Sequence, residues 1–188
     1  MKTSQIEILF SLMDVDSRRD IFYTPWRLPY IRSFVKGRSI TCFFCQYLQE
    51  GEDKDDLNLV VYRTRHSLVV MNRYPYSRGH ILVAPKRHVP SIVDLEGEEL
   101  EDYVKTVKAC ILAVRNLLRP DEVLAGINIG RVAGAGLEEH LHVHVIPRWY
   151  SARLYLPLDF NEEEIYRDMQ NICRTLREEL RRVLQDLA

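Results

Sequence analysis

Three histidines alternate with three apolar residues in one short stretch of the chain. The histidines are His140, His142 and His144, and the apolar residues are Leu141, Val143 and Val145. This alternation is typical of a β-strand with one buried face, because successive side chains of a strand point to opposite sides. We therefore expect the three imidazoles to share one face while the apolar side chains face a core.

Imidazoles that share one face allow two kinds of chemistry. As neutral ligands they can hold a metal ion such as zinc that activates water. Alternatively, one imidazole can be a nucleophile toward phosphorus while its neighbours orient it and bind phosphate. A run of surface histidines on an exposed strand is the third reading, and it is disfavoured because half of the six histidines in the chain fall here.

Two cysteines with the spacing of a metal site lie upstream, at Cys42 and Cys45. Such a Cys-x-x-Cys pair supplies half of a tetrahedral zinc site, and histidines at the ends of ordered elements are candidates for the other half. His88 follows a predicted strand and His140 begins another, which predicts a zinc site of these four residues. The other two histidines of the alternating stretch then remain for a substrate. A redox role for the cysteines is the alternative, but the strand-helix context of thioredoxin-like proteins is lacking.

A glycine-rich segment, residues 130–136, leads into the histidines. Its three glycines and two alanines can adopt left-handed conformations and expose backbone N–H groups, which makes a concave surface for anions. A glycine-rich loop alone is often a simple connection. Its position next to the imidazoles favours a phosphate-binding role.

The elements that must position these residues are those of an α+β fold. The predicted strands are Leu57–Thr64, Ser67–Asn72, His80–Ala84, Val123–Gly130 and the histidine stretch. A helix with a buried stripe is predicted from a cap at Asp94 to about Leu118, and a second helix from Phe160 to Ala188. We expect a five-stranded antiparallel sheet with the long helix packed on it. The apolar stripe of the terminal helix docks either on this domain or on a partner subunit.

Composition narrows the possible functions. The 188 residues carry 26 Lys and Arg against 27 Asp and Glu, so no strong global field recruits nucleic acid or a membrane. We expect no signal peptide, because Glu7 interrupts the apolar run Ile6–Met13 and charged residues follow it. No apolar run approaches the length of a membrane span. Together with the cysteine spacing, this predicts a cytoplasmic protein.

At the level of whole motifs the chain resembles the histidine-triad (HIT) family. The histidine stretch matches the pattern His-φ-His-φ-His-φ-φ, with φ apolar, and residues 72–85 match the upstream Asn, Pro, Gly-His and Pro block. The cysteines and histidines named above match the zinc quartet of bacterial and archaeal members and of the related galactose-1-phosphate uridylyltransferases. Thr24–Arg27, with Tyr30 and Ile31, and Gly126–Gly136 look most like the diadenosine tetraphosphate phosphorylase branch. The matches cover about residues 24 to 149.

The resemblance implies a HIT-like fold and an enzyme that acts on the α-phosphate of a nucleotide. Carried over by position, His142 is the nucleophile that forms a nucleotidyl-imidazole intermediate, and His144 contacts the phosphate. The remaining implied contacts, to the ribose or phosphates, are Asn72, Asn128, Gly134 and Gly136, with His80 supporting the active-site histidines. Cys42, Cys45, His88 and His140 would hold a structural Zn²⁺, and homodimers are common among such domains.

Two departures from the family pattern leave the acceptor open between phosphate and water. Gly134-Ala135-Gly136 lacks the Gln, Ser or Thr side chain that many members place there, and Tyr150–Tyr155 replaces a Gly-Asp-x-Asn-Phe-like segment. Arg148 and Arg153 are candidates to replace the missing contacts, or are solvated surface residues.

The leading hypothesis is cleavage of dinucleoside polyphosphates. The alternatives are hydrolysis of nucleoside phosphoramidates and a non-catalytic, zinc-stabilised nucleotide-binding module. We expect an N-terminal extension at residues 1–23, a HIT domain with the zinc knuckle at 24–150, and a C-terminal segment and helix at 151–188.

Overall fold

The computed structural model describes residues 41–150 and 162–187. The expected N-terminal extension, the Thr24–Arg27 motif and Arg153 lie outside the described residues. Within them, no helix has both the length and the apolar character that crossing a membrane requires.

Five strands form one antiparallel sheet, as the sequence predicts. They are β1 (Val60–Arg63), β2 (Ser67–Met71), β3 (Ile81–Pro85), β4 (Glu122–Ile127) and β5 (Val143–Arg148). Their spatial order is β1-β2-β3-β5-β4, with every neighbouring pair antiparallel. The histidine strand therefore lies between β3 and β4 and is hydrogen-bonded on both sides.

Two long helices cover one face of the sheet. They are α3 (Gly97–Leu118) and α4 (Glu162–Asp186), numbered after the short helices α1 (Phe43–Glu50) and α2 (Asp55–Asn58). The core under them includes the apolar side chains of the alternating stretch, Leu141, Val143 and Val145. It also takes up the stripe of α4, namely Met169, Ile172, Cys173, Leu176, Leu180 and Val183. The terminal helix thus docks on its own domain.

The other face of the sheet is the histidine face, and α1 covers part of it. Phe44 of α1 packs in a second apolar cluster with side chains from the first three strands, Val60, Leu68, Val70, Leu82 and Ala84. His144 is the register partner of Leu82, so its side chain belongs to the same face. The alternation predicted from the sequence is therefore realised, with a packed core behind the histidines.

The two outer strands of the sheet differ. Arg177 of α4 donates to the backbone carbonyls of Val60 (2.9 Å) and Val61 (3.4 Å), so side chains from the helix cover β1. Strand β4 is outermost on the other side, and Leu124 on it is 46% exposed. Helix α4 thus protects one edge of the sheet only.

Several predicted boundaries are wrong. Strand β4 ends at Ile127 and not at Gly130, and three further boundaries differ for local reasons. The strand predicted from Leu57 begins at Val60, because α2 takes the preceding residues and Leu59 ends it in a left-handed conformation (φ 57°). The long helix begins at Gly97, because Asp94 instead joins Ser91 in the capping box of a short 3₁₀ turn. Because Ser91 and Asp94 hydrogen-bond in this separate turn, the long helix begins later than the sequence predicts.

The third correction concerns the start of the histidine strand, which is Val143 and not His140. Extrapolating the β3–β5 register places Leu141 opposite Pro85, which has no N–H to donate. The Leu141 N–H donates instead to the Val89 carbonyl at 2.6 Å. His140 and His142 therefore precede the regular ladder, although the alternation of faces continues through them.

Candidate functional site

Four possible metal ligands come together at the N-terminal end of α1. Cys42 precedes the helix and Cys45 lies in its first turn, while His88 follows β3 and His140 precedes β5. Their ligand atoms all lie within 4.8 Å of one another. The Cys42 Sγ–His140 Nδ1, Cys45 Sγ–His88 Nδ1 and His88 Nδ1–His140 Nδ1 distances are 3.1, 3.2 and 3.2 Å. The structure thus brings all four predicted metal ligands into one cluster.

The chemistry of this cluster fits a tetrahedral metal ion. Usual zinc bond lengths place tetrahedral ligand atoms about 3.3–3.8 Å apart, close to the separations observed. His140 Nε2 lies 2.8 Å from the Pro85 carbonyl oxygen, which can only accept, so Nε2 carries the proton and Nδ1 presents its lone pair to the cluster. Burial raises the pKa of the Cys42 thiol to about 11, so a cation is what would hold it as a thiolate at neutral pH.

His142 is buried, and a backbone oxygen fixes its protonation. Its Nδ1 lies 2.8 Å from the carbonyl oxygen of His140, so Nδ1 donates and Nε2 keeps a lone pair. Burial lowers the pKa of His142, which favours the neutral imidazole. The Phe44 ring packs against it, with ring centres 5.5 Å apart. The arrangement presents a neutral, held imidazole, which is the form that can act as a nucleophile.

His144 has the opposite tautomer to His142, and a chain of hydrogen bonds through His80 sets it. The backbone N–H of Tyr76 donates to His80 Nδ1 at 3.1 Å, so His80 carries its proton on Nε2. That nitrogen donates to His144 Nδ1 at 3.0 Å, which leaves the proton of neutral His144 on Nε2. His142 and His144 lie with ring centres 4.9 Å apart, so a lone pair and a donor are presented by adjacent rings.

Asn72 belongs to the same network. Its amide nitrogen lies 3.3 Å from His80 Nδ1, and its side-chain oxygen accepts from the backbone N–H of Tyr74 at 2.9 Å. Asn72 and His80 begin and end one loop, residues 72–80, which connects β2 and β3 and which we call the 72–80 loop. The structure thus joins the predicted ribose contact to the predicted supporting histidine.

The glycine-rich segment forms a compact turn. Gly130 (φ 82°) and Gly134 (φ 89°) have positive φ on either side of a 3₁₀ turn, Arg131–Ala133, and Gly134 is left-handed. The Asn128 amide donates to the Gly134 carbonyl at 3.4 Å, so two of the predicted nucleotide contacts meet here. Gly136 is half-buried, and Leu137 after it packs against the apolar cluster on the histidine face.

Sequence reasoning missed several groups of the site. Three of these groups are backbone atoms: the Pro85 carbonyl sets the tautomer of His140, the His140 carbonyl that of His142, and the Tyr76 N–H that of His80. Every residue type has backbone atoms, so the sequence pattern does not reveal them. Gly126 was not singled out as a site residue, although it is the register partner of His144 on β4 and has no side chain to cover it. The alternating pattern of β4 in the sequence was the available signal for Gly126.

Comparison with known proteins agrees with this architecture. The family model described as HIT domain matches residues 54–150. The chain is 35% identical over 130 residues to a Mycobacterium tuberculosis protein named AP-4-A phosphorylase, a match that covers 68% of this chain and 67% of the relative.

Two solved structures are also similar. A hypothetical histidine triad nucleotide-binding protein from Sulfolobus tokodaii has a TM-score of 0.60 and 30% identity, with 75% of this chain and 93% of that one covered. A Zn-bound histidine triad family protein from Mycobacterium smegmatis has a TM-score of 0.57 and 26% identity, with 79% and 98% covered.

Burial of His142 predicts a loss of stability as the pH falls. The unfolded chain takes up a proton near the ordinary imidazole pKa of 6.5, whereas the folded protein takes it up only at lower pH. Below that pH the unfolded state binds more protons, so the free energy of unfolding decreases toward acid. Urea denaturation between about pH 7 and pH 5 measures this slope.

The matched protein for this measurement is His142→Asn, whose slope should be shallower than that of the wild type. His140, whose pKa burial lowers to about 4, contributes to the slope of both proteins. Because the charge of His142 is a minor cause of that shift, the difference between the two slopes reports His142 together with its coupling to His140. Equal slopes would show that His142 is not held in its neutral form by folding.

Proposed function

Since the chain belongs to the HIT family, we propose that it cleaves dinucleoside polyphosphates, such as diadenosine tetraphosphate, at the α-phosphate. The observation that carries the proposal is the tautomer of His142, whose Nδ1 proton is held by the His140 carbonyl so that Nε2 has a lone pair. The relative named AP-4-A phosphorylase supports the substrate class.

The proposed reaction has two displacements at phosphorus. His142 Nε2 attacks the α-phosphorus, a P–N bond forms, and the P–O bond to the rest of the polyphosphate breaks, so that ATP leaves from diadenosine tetraphosphate. An acceptor oxygen then attacks the same phosphorus and the P–N bond breaks, which returns the lone pair to Nε2. With phosphate as acceptor the second product is ADP, and with water it is AMP. Covalent catalysis thus divides one difficult displacement into two.

The neighbours of His142 supply charge and position. The Nε2 proton of His144, fixed by the His80 hydrogen bond, suits a donor to a phosphate oxygen whose charge grows in the transition state. Asn72 contacts the ribose. Asn128, Gly134 and Gly136 contact the ribose or phosphates from the glycine-rich turn. Ala135 offers no polar side chain there, and the N–H groups of Gly134 and Ala135 donate within the turn, to the Arg131 and Gly130 carbonyls. A backbone donor to the phosphates would therefore be another N–H of the segment, such as that of Gly136.

Zinc is the metal proposed for the cluster of Cys42, Cys45, His88 and His140. The ligand separations near 3.2 Å and the lone pair of His140 Nδ1 support it, and the Zn-bound relative supports it independently. Its role is structural, since four protein ligands close a tetrahedral site. By holding His140, the ion would also hold the backbone carbonyl that orients His142.

A homodimer paired through β4 is the proposed assembly. Leu124 on this outermost strand is 46% exposed, and Ile129 and Val132 after it are 50% and 104% exposed. Exposed apolar side chains beside an outer strand favour pairing with a second copy. The terminal helix no longer supports a dimer, because its stripe is buried in its own core. A cytoplasmic location and the absence of nucleic-acid or membrane partners remain predictions from the sequence.

The first test is incubation with diadenosine tetraphosphate, with and without inorganic phosphate. ADP formed only with phosphate identifies a phosphorylase, and AMP with ATP in its absence identifies a hydrolase. His142→Ala should lose activity by about 10³-fold or more, and a labelled adenylyl group should be trapped on the wild type alone. His66→Gln is the matched control, because His66 takes no part in the network described above. If wild type and His142→Ala are equally inert, nucleoside phosphoramidates are tested next. Inactivity toward both substrates would favour the non-catalytic nucleotide-binding module.

The second test concerns the metal. Protein purified without chelators should contain one zinc per chain by elemental analysis. His88→Gln should bind zinc at least about tenfold more weakly, because three ligands replace four, whereas His66→Gln should retain it. Metal-free wild type, or equal zinc affinity in the His88 variant, would contradict the assignment.

The third test concerns assembly. Light scattering should give the mass of two chains for the wild type and of one chain for Leu124→Asp, because pairing at β4 would bury the new carboxylate. Val93→Asp is the control, since Val93 is 80% exposed and lies in the 3₁₀ turn before α3. A monomeric wild type would rule out the proposed dimer.

A further inference from the structure

The 72–80 loop carries an arginine near each end, and both contact α4. Arg78 is two residues before His80, and its Nε and Nη2 donate to the two carboxylate oxygens of Asp168, each at 2.8 Å. Arg73 follows Asn72, and its guanidinium carbon lies 5.9 Å from the ring centre of Tyr166. A bidentate ion pair and a cation–π contact thus hold the two ends of the loop.

Helix α4 is a firm support for these contacts. It lies outside the region matched by the family model, residues 54–150. Over the next five residues after Asp168, its side chains Met169, Ile172 and Cys173 are buried in the core between the helices and the sheet. The Tyr166 hydroxyl also donates to the Leu57 carbonyl at 3.0 Å, so the ring is fixed at its far end.

The middle of the loop has other anchors. The Ser77 hydroxyl donates to the Pro147 carbonyl at 2.6 Å. Gly79 packs on α3 so closely that an added Cβ would lie 2.2 Å from Leu118 Cδ1. Gly79 directly precedes His80, and two backbone bonds close the loop, from the His80 N–H to the Ser77 carbonyl (3.2 Å) and from the Asn72 N–H to the His80 carbonyl (2.9 Å). The two arginine contacts with α4 therefore add to anchors that lie within the loop itself.

We infer that Asp168 and Tyr166 of α4 are positioning residues for the active site, acting through Arg78 and Arg73. Asp168 holds the end of the loop that carries His80, and thereby the hydrogen bond from His80 to His144. Tyr166 holds the end that carries Asn72. The catalytic consequences rest on the proposed function, in which His144 stabilises the transferred phosphate and Asn72 binds the ribose.

The two residues should therefore affect different kinetic constants. Asp168→Asn removes the ion pair with Arg78, so His80 is held less firmly. The variant should lower kcat about fivefold with little change in KM. Tyr166→Leu removes the ring under Arg73 and should raise KM about fivefold with little change in kcat. Tyr166→Phe keeps the ring and should retain most of the wild-type KM.

The matched control on the same helix is Glu178→Gln. It removes an exposed ion pair with Arg181 (2.9 Å) that does not touch the loop. Thermal unfolding should shift little, and by similar amounts, in Asp168→Asn and Glu178→Gln. Arg78→Gln should match Asp168→Asn in kcat, and the double variant should be no slower than either, because all three lose the same contact.

A readout without substrate separates this inference from the proposed function. Nitrogen-15 NMR of the histidine side chains reports which ring nitrogen carries the proton. The wild type and Glu178→Gln should show His144 protonated on Nε2, and Asp168→Asn should show a mixture of tautomers. An unchanged His144 spectrum, together with an unchanged kcat, would overturn the inference. If the wild type cleaves no dinucleotide but the NMR difference is present, the proposed function fails and the positioning role stands.

Discussion

A carbonyl oxygen can only accept a hydrogen bond, and two such oxygens decide what the histidine stretch can do. The Pro85 oxygen holds the proton of His140 on Nε2 and turns Nδ1 toward the cysteines. The His140 oxygen holds the proton of His142 on Nδ1 and leaves the lone pair on Nε2. Two residues apart on one face, the same type of side chain is thus prepared for two different roles, the proposed metal ligand at His140 and the proposed nucleophile at His142. The division depends on backbone position, and therefore on the sheet that sets it.

The rest of the fold serves to hold that backbone in place. The register of β3 and β5 brings Pro85 opposite the start of the histidine stretch, where a residue without an N–H ends the ladder and its carbonyl serves the His140 side chain. Behind the stretch, α3 and α4 pack a continuous core against Leu141 and Val143. In front, Phe44 lies against the rings of both His140 and His142. Desolvation lowers the pKa of both His140 and His142, which favours their neutral forms.

The sequence predicts the sheet, both long helices and the residues of the metal cluster, because each depends on periodicity or on ligand spacing. It does not predict the start of the long helix, since Asp94 suits a helix cap and a 3₁₀ turn equally well. Nor does it predict that Val143 begins the last strand, because that depends on which residue lies opposite on β3. The opposite tautomers of His142 and His144 are likewise absent from the sequence pattern. Each is set by partners distant in sequence or by backbone atoms, and only the fold brings these together.

The unequal edges of the sheet bear on how large an assembly of this chain can become. Growth of a sheet by repeated addition needs two edges that accept strands, and here Arg177 occupies carbonyls of β1. Within residues 41–150 and 162–187, β4 is the edge that stays open to pairing. If β4 paired with the β4 of a second copy, the open edges of both copies would be used. The proposed association through β4 would therefore close at two chains and would not extend the sheet further. In such an assembly, α4 would limit growth of the sheet by covering β1.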